Sequence, residues 1–283
     1  MLKRPEIRKI LNVRVDSTST SLVLDQIHKK LAQAAKFYVT TPNPEIVLKA
    51  SKDKKLQDII AGAFIAVPDG VGLLVASKFL TMPKIRNQFA RKFIYPFEFL
   101  VALLTNKGDV VKGRELMTKL FTYADRKKLR VYLLGSTKEA NSRAVTKFRR
   151  DNPGASVKGT AGPVLDTNAK PVGDLETKID ITTVDQIQKF SPDMLFVAFG
   201  CPRQEKWIAK WLPKLDIKMA MGVGGALDYY AGVTKIPPKW IDKAGLEWLW
   251  RLVHEPRKRM KRVISSVIVF PWKVYQFKLR SKI

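Results

Sequence analysis

The chain has 283 residues, 46% of them apolar, and its 52 Lys/Arg against 25 Asp/Glu give a net charge of +27. That length suits one large α/β domain, alone or with an appendage, and the composition excludes disordered, collagen-like and disulfide-scaffolded chains. The single cysteine, Cys201, cannot close an internal disulfide, which points to a reducing compartment.

At the start, residues 1–15 alternate charged and apolar side chains without the apolar stretch of a secretion signal. No window offers the roughly 20 apolar residues that a spanning helix needs, so a soluble-type chain is expected. The run KFYVTT (36–41) reads as a first buried strand, ending in Thr41-Pro42-Asn43-Pro44-Glu45 with a helix over 44–50. A second strand, AFIAV (63–67), leads into Pro68-Asp69-Gly70-Val71-Gly72 and a helix over 71–80. Residues 84–107 form a basic insertion whose apolar run, 93–104, contains Pro96 and Glu98. Next come a helix over 116–127, the strand RVYLL (130–134) entering Gly135-Ser136-Thr137, and a helix over 138–150. The strand MLFVAF (194–199) enters Gly200-Cys201-Pro202-Arg203-Gln204-Glu205 and a helix over 204–212. A last strand, 218–221, enters Gly222-Val223-Gly224-Gly225-Ala226-Leu227-Asp228. This alternation predicts a Rossmann-like, mostly parallel sheet with helices on both faces, spanning residues 1–232. Ligands of such sheets bind beyond the carboxyl ends of the strands, where these small and polar clusters fall.

Beyond residue 238 the pattern changes. Leu246, Trp248, Leu249, Leu252 and Val253 form a helical apolar stripe, Pro256 interrupts it, and the basic run Arg257, Lys258, Arg259, Lys261, Arg262 precedes an apolar stretch over 263–272. Residues 233–283 therefore read as a helical, basic, amphipathic appendage. Residues 232–283 hold 13 Lys/Arg against Asp242, Glu247 and Glu255, a net +10. A second basic block, 78–130, holds 13 bases against four acids. Aromatics interleaved with bases suit an anionic membrane surface, single-stranded nucleic acid or a plain solvated helix. The basic cluster beside an apolar stretch favours the membrane.

The chemistry-bearing residues each admit two readings. The glycines at 222, 224 and 225 suit backbone approach to phosphate or merely a tight turn; the spacing matches neither a Walker loop nor the dinucleotide fingerprint. Asp69 is placed to act as a general base, although its position before the 71–80 helix favours an N-cap. Thr41 and Asn43 can hydrogen-bond sugar hydroxyls or form a turn before Pro44. Gln204 can read a uracil edge or a phosphate, or cap backbone. His28 and His254 are isolated, and no paired aspartates of the metal-holding kind occur, so a metal-independent reaction without a cofactor is expected.

In combination these motifs resemble the WecG/TagA/CpsF glycosyltransferase family over nearly the whole chain. Gly113-Arg114-Glu115-Leu116, Gly200 through Trp207, Pro237-Pro238-Lys239-Trp240 and the stretch from Gly245 to Arg257 carry the resemblance together with the strand-end motifs. The resemblance implies an inverting enzyme on the inner face of the cell membrane, moving an N-acetylated hexosamine such as N-acetylmannosamine from a UDP-sugar. The acceptor it implies is N-acetylglucosamine on undecaprenyl diphosphate, as in teichoic-acid synthesis; relatives move glucose or uronates in making other surface polymers. It makes Asp69 the base, with Thr41, Asn43 and Gln204 around the sugar and diphosphate. Gly70, Gly135, Ser136, Gly200, Arg203, Gly222, Gly224, Gly225 and Asp228 are then expected to bind nucleotide or substrate, with Arg251, Arg257 and Arg259 reaching over from the appendage. The family arginine three residues before the glycine at 113 is Val110 here; Arg114 or a residue of the appendage is the candidate substitute, and a different donor or acceptor is the alternative. Nucleic acid is not an expected partner, and the subunit number, a homo-oligomer included, stays open. A nucleotide-binding oxidoreductase or a basic nucleic-acid-binding protein are the alternatives; the first lacks its fingerprint and the second has only charge and aromatics behind it. The glycosyltransferase reading requires Asp69 and the glycine loop to share one cleft.

Overall fold

Apolar side chains on both faces of a strand demand cover on both sides, and that requirement sets this architecture. In the computed structural model, which describes residues 6–33, 35–105, 111–236, 238, 241, 247–254 and 256–280, the sheet is ordered β4-β3-β8-β7-β5-β6. The strands are β3 (Phe37–Thr40), β4 (Ile65–Ala66), β5 (Arg130–Gly135), β6 (Ser156–Thr160), β7 (Met194–Ala198) and β8 (Met219–Gly222), and every pairing is parallel. In β5, Val131 and Leu133 enter one core while Tyr132 and Leu134 enter the other.

The first core lies under α1 (Thr20–Leu31), α6 (Gly113–Arg126), α7 (Lys138–Asp151) and the short α10 (Ala226–Tyr230). There Phe121 meets Phe148, Phe196 and Tyr230 edge-on at 4.9–5.0 Å. The second lies under α8 (Asp174–Phe190) and α9 (Arg203–Trp211), around the fully buried Trp207. A third core forms beside the sheet, between an antiparallel hairpin, β1 (Glu6–Ile10) with β2 (Val13–Ser17), and helices α2 (Pro44–Ala50), α3 (Lys54–Gly62), α4 (Val71–Thr81) and α5 (Gln88–Leu104).

The hairpin, β6, α1, α3, α8 and α10 were not among the predicted elements. The insertion at 84–107 is largely the helix α5. The C-terminal segment is helical where described: α11 (Glu247–His254), α12 (Pro256–Ile264), a wide turn over Ser265–Val269, and α13 (Phe270–Arg280). Phe270 and Val274 of α13 are buried in the third core, which ties this segment to α4 and α5.

Because all six sheet strands run the same way, their carboxyl ends share one edge. β8 lies at the centre of the sheet between β3 and β7, so the loops after these three strands are neighbours. A cavity of about 330 Å³ opens there, near the lower end of the range for small-molecule sites.

Candidate functional site

Asp69 stands three residues past the end of β4. Its backbone N–H donates to Pro42 O at 2.8 Å, which holds the loop after β4 against the loop after β3. Its side chain does not cap α4: that cap is Gly70, with no side-chain hydrogen bond. Asp69 Oδ1 instead accepts from the backbone N–H of Gly113, the first residue of α6, at 3.2 Å. The carboxylate thus sits at a helix N-terminus, where a negative charge is stabilised. A Cβ on Gly113 would come within 3.2 Å of Thr41 Oγ1, so a glycine lets the helix start close against the β3 loop. Asn43 caps α2, its Oδ1 accepting from Ile46 N at 3.0 Å, with Pro44 in the first turn. Its amide nitrogen is a donor, and the residue lines the cavity.

Gln204 joins two loops. Its Oε1 accepts from Gly200 N at 3.1 Å and Gly224 N at 3.0 Å, and its Nε2 donates to Glu205 Oε1 at 2.8 Å. A Cβ on Gly222 would meet that Nε2 at 2.7 Å, so only glycine fits beneath the amide. Two N–H groups that the glycine-rich loops offered to a phosphate are therefore occupied by Gln204. Glu205 is 3% exposed, and among the described residues its Oε2 has no hydrogen-bond partner. Burial pushes its carboxyl above the usual carboxylate range and pushes the neighbouring Cys201 thiol up as well.

Positive charge reaches the cavity from side chains instead. Lys112 and Arg114 arrive at the start of α6, and Arg262 arrives from α12. The Arg114 guanidinium lies 5.8 Å from the Tyr229 ring centroid. Arg262 Nε is 3.4 Å from Glu45 Oε2, while Glu45 Oε1 takes Lys49 Nζ at 2.8 Å. At the β8 end, Ser136 Oγ donates to Asp228 Oδ1, which links the loop after β5 to α10.

Of the expected site residues, Thr41, Asn43, Asp69, Arg114, Gly200, Gln204, Gly224, Gly225 and Asp228 line this cavity. Gly70, Gly135, Ser136, Arg203 and Gly222 are outside its lining; Ser136 and Gly222 support it through Asp228 and Gln204. Val110 lies outside the described residues, and the side chains of Arg251, Arg257 and Arg259 are likewise outside the described ones. The sequence reading gave no site role to Glu45, Lys112, Tyr229 or Arg262, all of which line the cavity. For Arg262 the signal existed as one of five bases in a short run, but nothing in the run singles out which base turns inward. Among the described residues, no three His, Cys, Asp or Glu side chains converge to hold a metal ion.

A model of the glycosyl transferase WecG/TagA/CpsF family matches residues 8–106 and 96–283. The N-acetylglucosaminyldiphosphoundecaprenol N-acetyl-beta-D-mannosaminyltransferase of Bacillus spizizenii is 29% identical over 251 residues, 89% of this chain and 84% of that protein. The protein of the same name from Bacillus subtilis is 28% identical over 253 residues, again 89% and 84%. Its Staphylococcus aureus counterpart is 29% identical over 275 residues, 96% of this chain and 94% of that protein.

Proposed function

The chain belongs to the WecG/TagA/CpsF family of glycosyl transferases, and from that membership we propose that it moves N-acetylmannosamine, or a related hexose or uronate, from UDP onto undecaprenyl-diphosphate-linked N-acetylglucosamine. The observation that carries this reading is that Asp69, the 224–225 glycine loop and three cationic side chains line one cavity. In the proposed reaction Asp69 takes the proton of the acceptor hydroxyl. The hydroxyl oxygen bonds to the anomeric carbon from the face opposite UDP, the carbon–oxygen bond to the β-phosphate breaks, and UDP leaves with the electron pair. The Gly113 N–H fixes the carboxylate of the base, and Thr41 and Asn43 supply polar contacts to the sugars. Lys112, Arg114 and Arg262 would stabilise the charge that grows on the departing diphosphate, the role that positioned cations fill in phosphoryl chemistry. Asp228 and Tyr229 border the same space and suit the nucleoside. The polymer served would be a teichoic acid or another surface polysaccharide, with the enzyme peripheral on the inner face of the membrane where its acceptor is anchored.

The test is a panel of UDP-sugars assayed against a short-chain lipid-diphosphate acceptor, with Asp69→Asn alongside. Transfer should fall by about 10²–10⁴-fold in the variant, while UDP still raises its melting temperature. An Asp69→Asn enzyme of near-normal rate would remove Asp69 as the base, and a chain that no UDP-sugar stabilises would remove the donor.

A further inference from the structure

Helix α5 has two faces of different character. On its inner face Tyr95 is fully buried, and Phe79 meets both Tyr95 and Phe99 edge-on. Arg91 Nε donates to Ile85 O at 2.6 Å, and Glu98 Oε2 takes Lys278 Nζ at 2.6 Å. The outer face carries Phe89, Phe93, Phe97, Leu100, Leu103 and Leu104, each between 48% and 74% exposed. At 3.6 residues per turn these six, with Pro96, occupy an arc of about 120° that contains no charged side chain. The helix has 17 residues, so the stripe extends for roughly 25 Å.

Apolar patches of this extent are uncommon on monomers and mark contact surfaces. The surroundings identify the kind of contact. Lys84, Arg86 and Lys92 are exposed beside the stripe. Tyr275 of α13 donates its hydroxyl to Lys92 O at 3.4 Å, and Trp272, 56% exposed, stacks on Tyr275 at 5.4 Å. The aromatic surface therefore continues from α5 onto α13, where Lys273 is exposed. A helix packed by one face, with aromatics on the other and bases at its margin, has the composition of an interfacial helix. A second copy of the chain carries the same net charge of +27 and the same bases beside the stripe, so it would be repelled, whereas an anionic bilayer is complementary.

We propose that α5 is a membrane-inserting helix, lying flat in an anionic bilayer with its Phe89–Leu104 stripe among the acyl chains and Trp272 beside it. This contact is separate from the basic run at 257–262, and it does not rest on the transfer reaction, since binding is read without donor or acceptor.

The test is co-sedimentation of the full chain with phosphatidylglycerol–phosphatidylcholine vesicles and with phosphatidylcholine alone, comparing wild type with Phe93→Gln/Phe97→Gln/Leu100→Gln. These exposed positions can change without disturbing the inner face, which an unaltered melting temperature verifies. Wild type should partition onto the anionic vesicles, and the triple variant should lose about tenfold or more. In detergent-free solution the variant should still transfer sugar to a short-chain acceptor within about twofold of wild type. Equal partition of the two proteins overturns the proposal, as does a wild type that ignores anionic vesicles. A variant that binds vesicles normally but loses a concentration-dependent self-association also overturns it, by assigning the stripe to contacts between copies.

Discussion

At the scale of single residues, Gln204 shows how one polar side chain can line a site and brace its loops as well. Its oxygen saturates the N–H groups of Gly200 and Gly224, and its nitrogen reaches Glu205, so the loops after β7 and β8 are fixed to each other. Thr41, Asn43 and Asp69 were legible in the sequence because each follows an apolar strand by a few residues, and parallel topology places such positions at one edge. The partners of Gln204 were not legible, since one lies 20 residues further along the chain. The capping role of Asp69 was equally hidden, because the helix it serves begins 44 residues later. Glu205 gives a prediction at this scale. Burial raises its pKa, so the folded protein holds the proton more tightly than the unfolded chain does. The stability this contributes is complete below an ordinary glutamate value of about 4.3 and is lost as pH rises toward the folded value. Glu205→Gln keeps an acceptor for Gln204 and removes the titration. Denaturant unfolding should find the variant more stable than wild type at pH 8, with the gap closing near pH 4. The same gap at both pH values would contradict the assignment.

At the scale of elements, β3, β5, β7 and β8 were readable because strands covered on both faces are continuously apolar. Strand β6 (SVKGT) lies at the sheet edge with Ser156 and Lys158 exposed, which leaves little hydrophobic signal. The β1–β2 hairpin did carry period-two alternation, with Ile10, Val13 and Val15 buried. Its turn, however, is Leu11–Asn12 with φ of 50° and 65°, so the usual Asn-Gly signal is missing. The polar Glu98 that interrupted the apolar run at 93–104 proves to be an anchor. It pairs with Lys278, which is 1% exposed and also donates to Phe79 O at 2.8 Å. Glu98→Ala would leave that ammonium in the core without its carboxylate and should cost about 3 kcal/mol at pH 7. Burial holds the Lys278 pKa below the ordinary lysine value, so its charged form is the destabilising one. The deficit should therefore shrink as pH rises from 7 toward 10, because the folded chain gives up the lysine proton at a lower pH than the unfolded chain does. A deficit that does not change between pH 7 and pH 10 would locate the loss in packing instead.

For the whole molecule, the +27 charge was visible at once, but its division between bilayer and cavity depends on the fold. The cavity draws Lys112 and Arg114 from the start of α6, and Arg262 from a helix more than 140 residues further along the chain. A charge brought from so far is legible only once α13 has docked on α4 and α5, because that docking fixes where α12 can lie. The Arg262–Glu45 pair is largely solvated, with Arg262 55% exposed, so it contributes at most about 1 kcal/mol to stability. If the cations carry the charge of the leaving diphosphate, Arg262→Ala should lower kcat/KM by about 10–100-fold and leave the melting temperature within a degree or two. The loss should be identical with and without excess EDTA, because no divalent ion is proposed to share the task. Full activity in Arg262→Ala would detach the C-terminal helices from the chemistry. Abolition of wild-type transfer by EDTA would show that side-chain charge alone is insufficient, and the three cations would then have to be reassigned to holding the nucleotide.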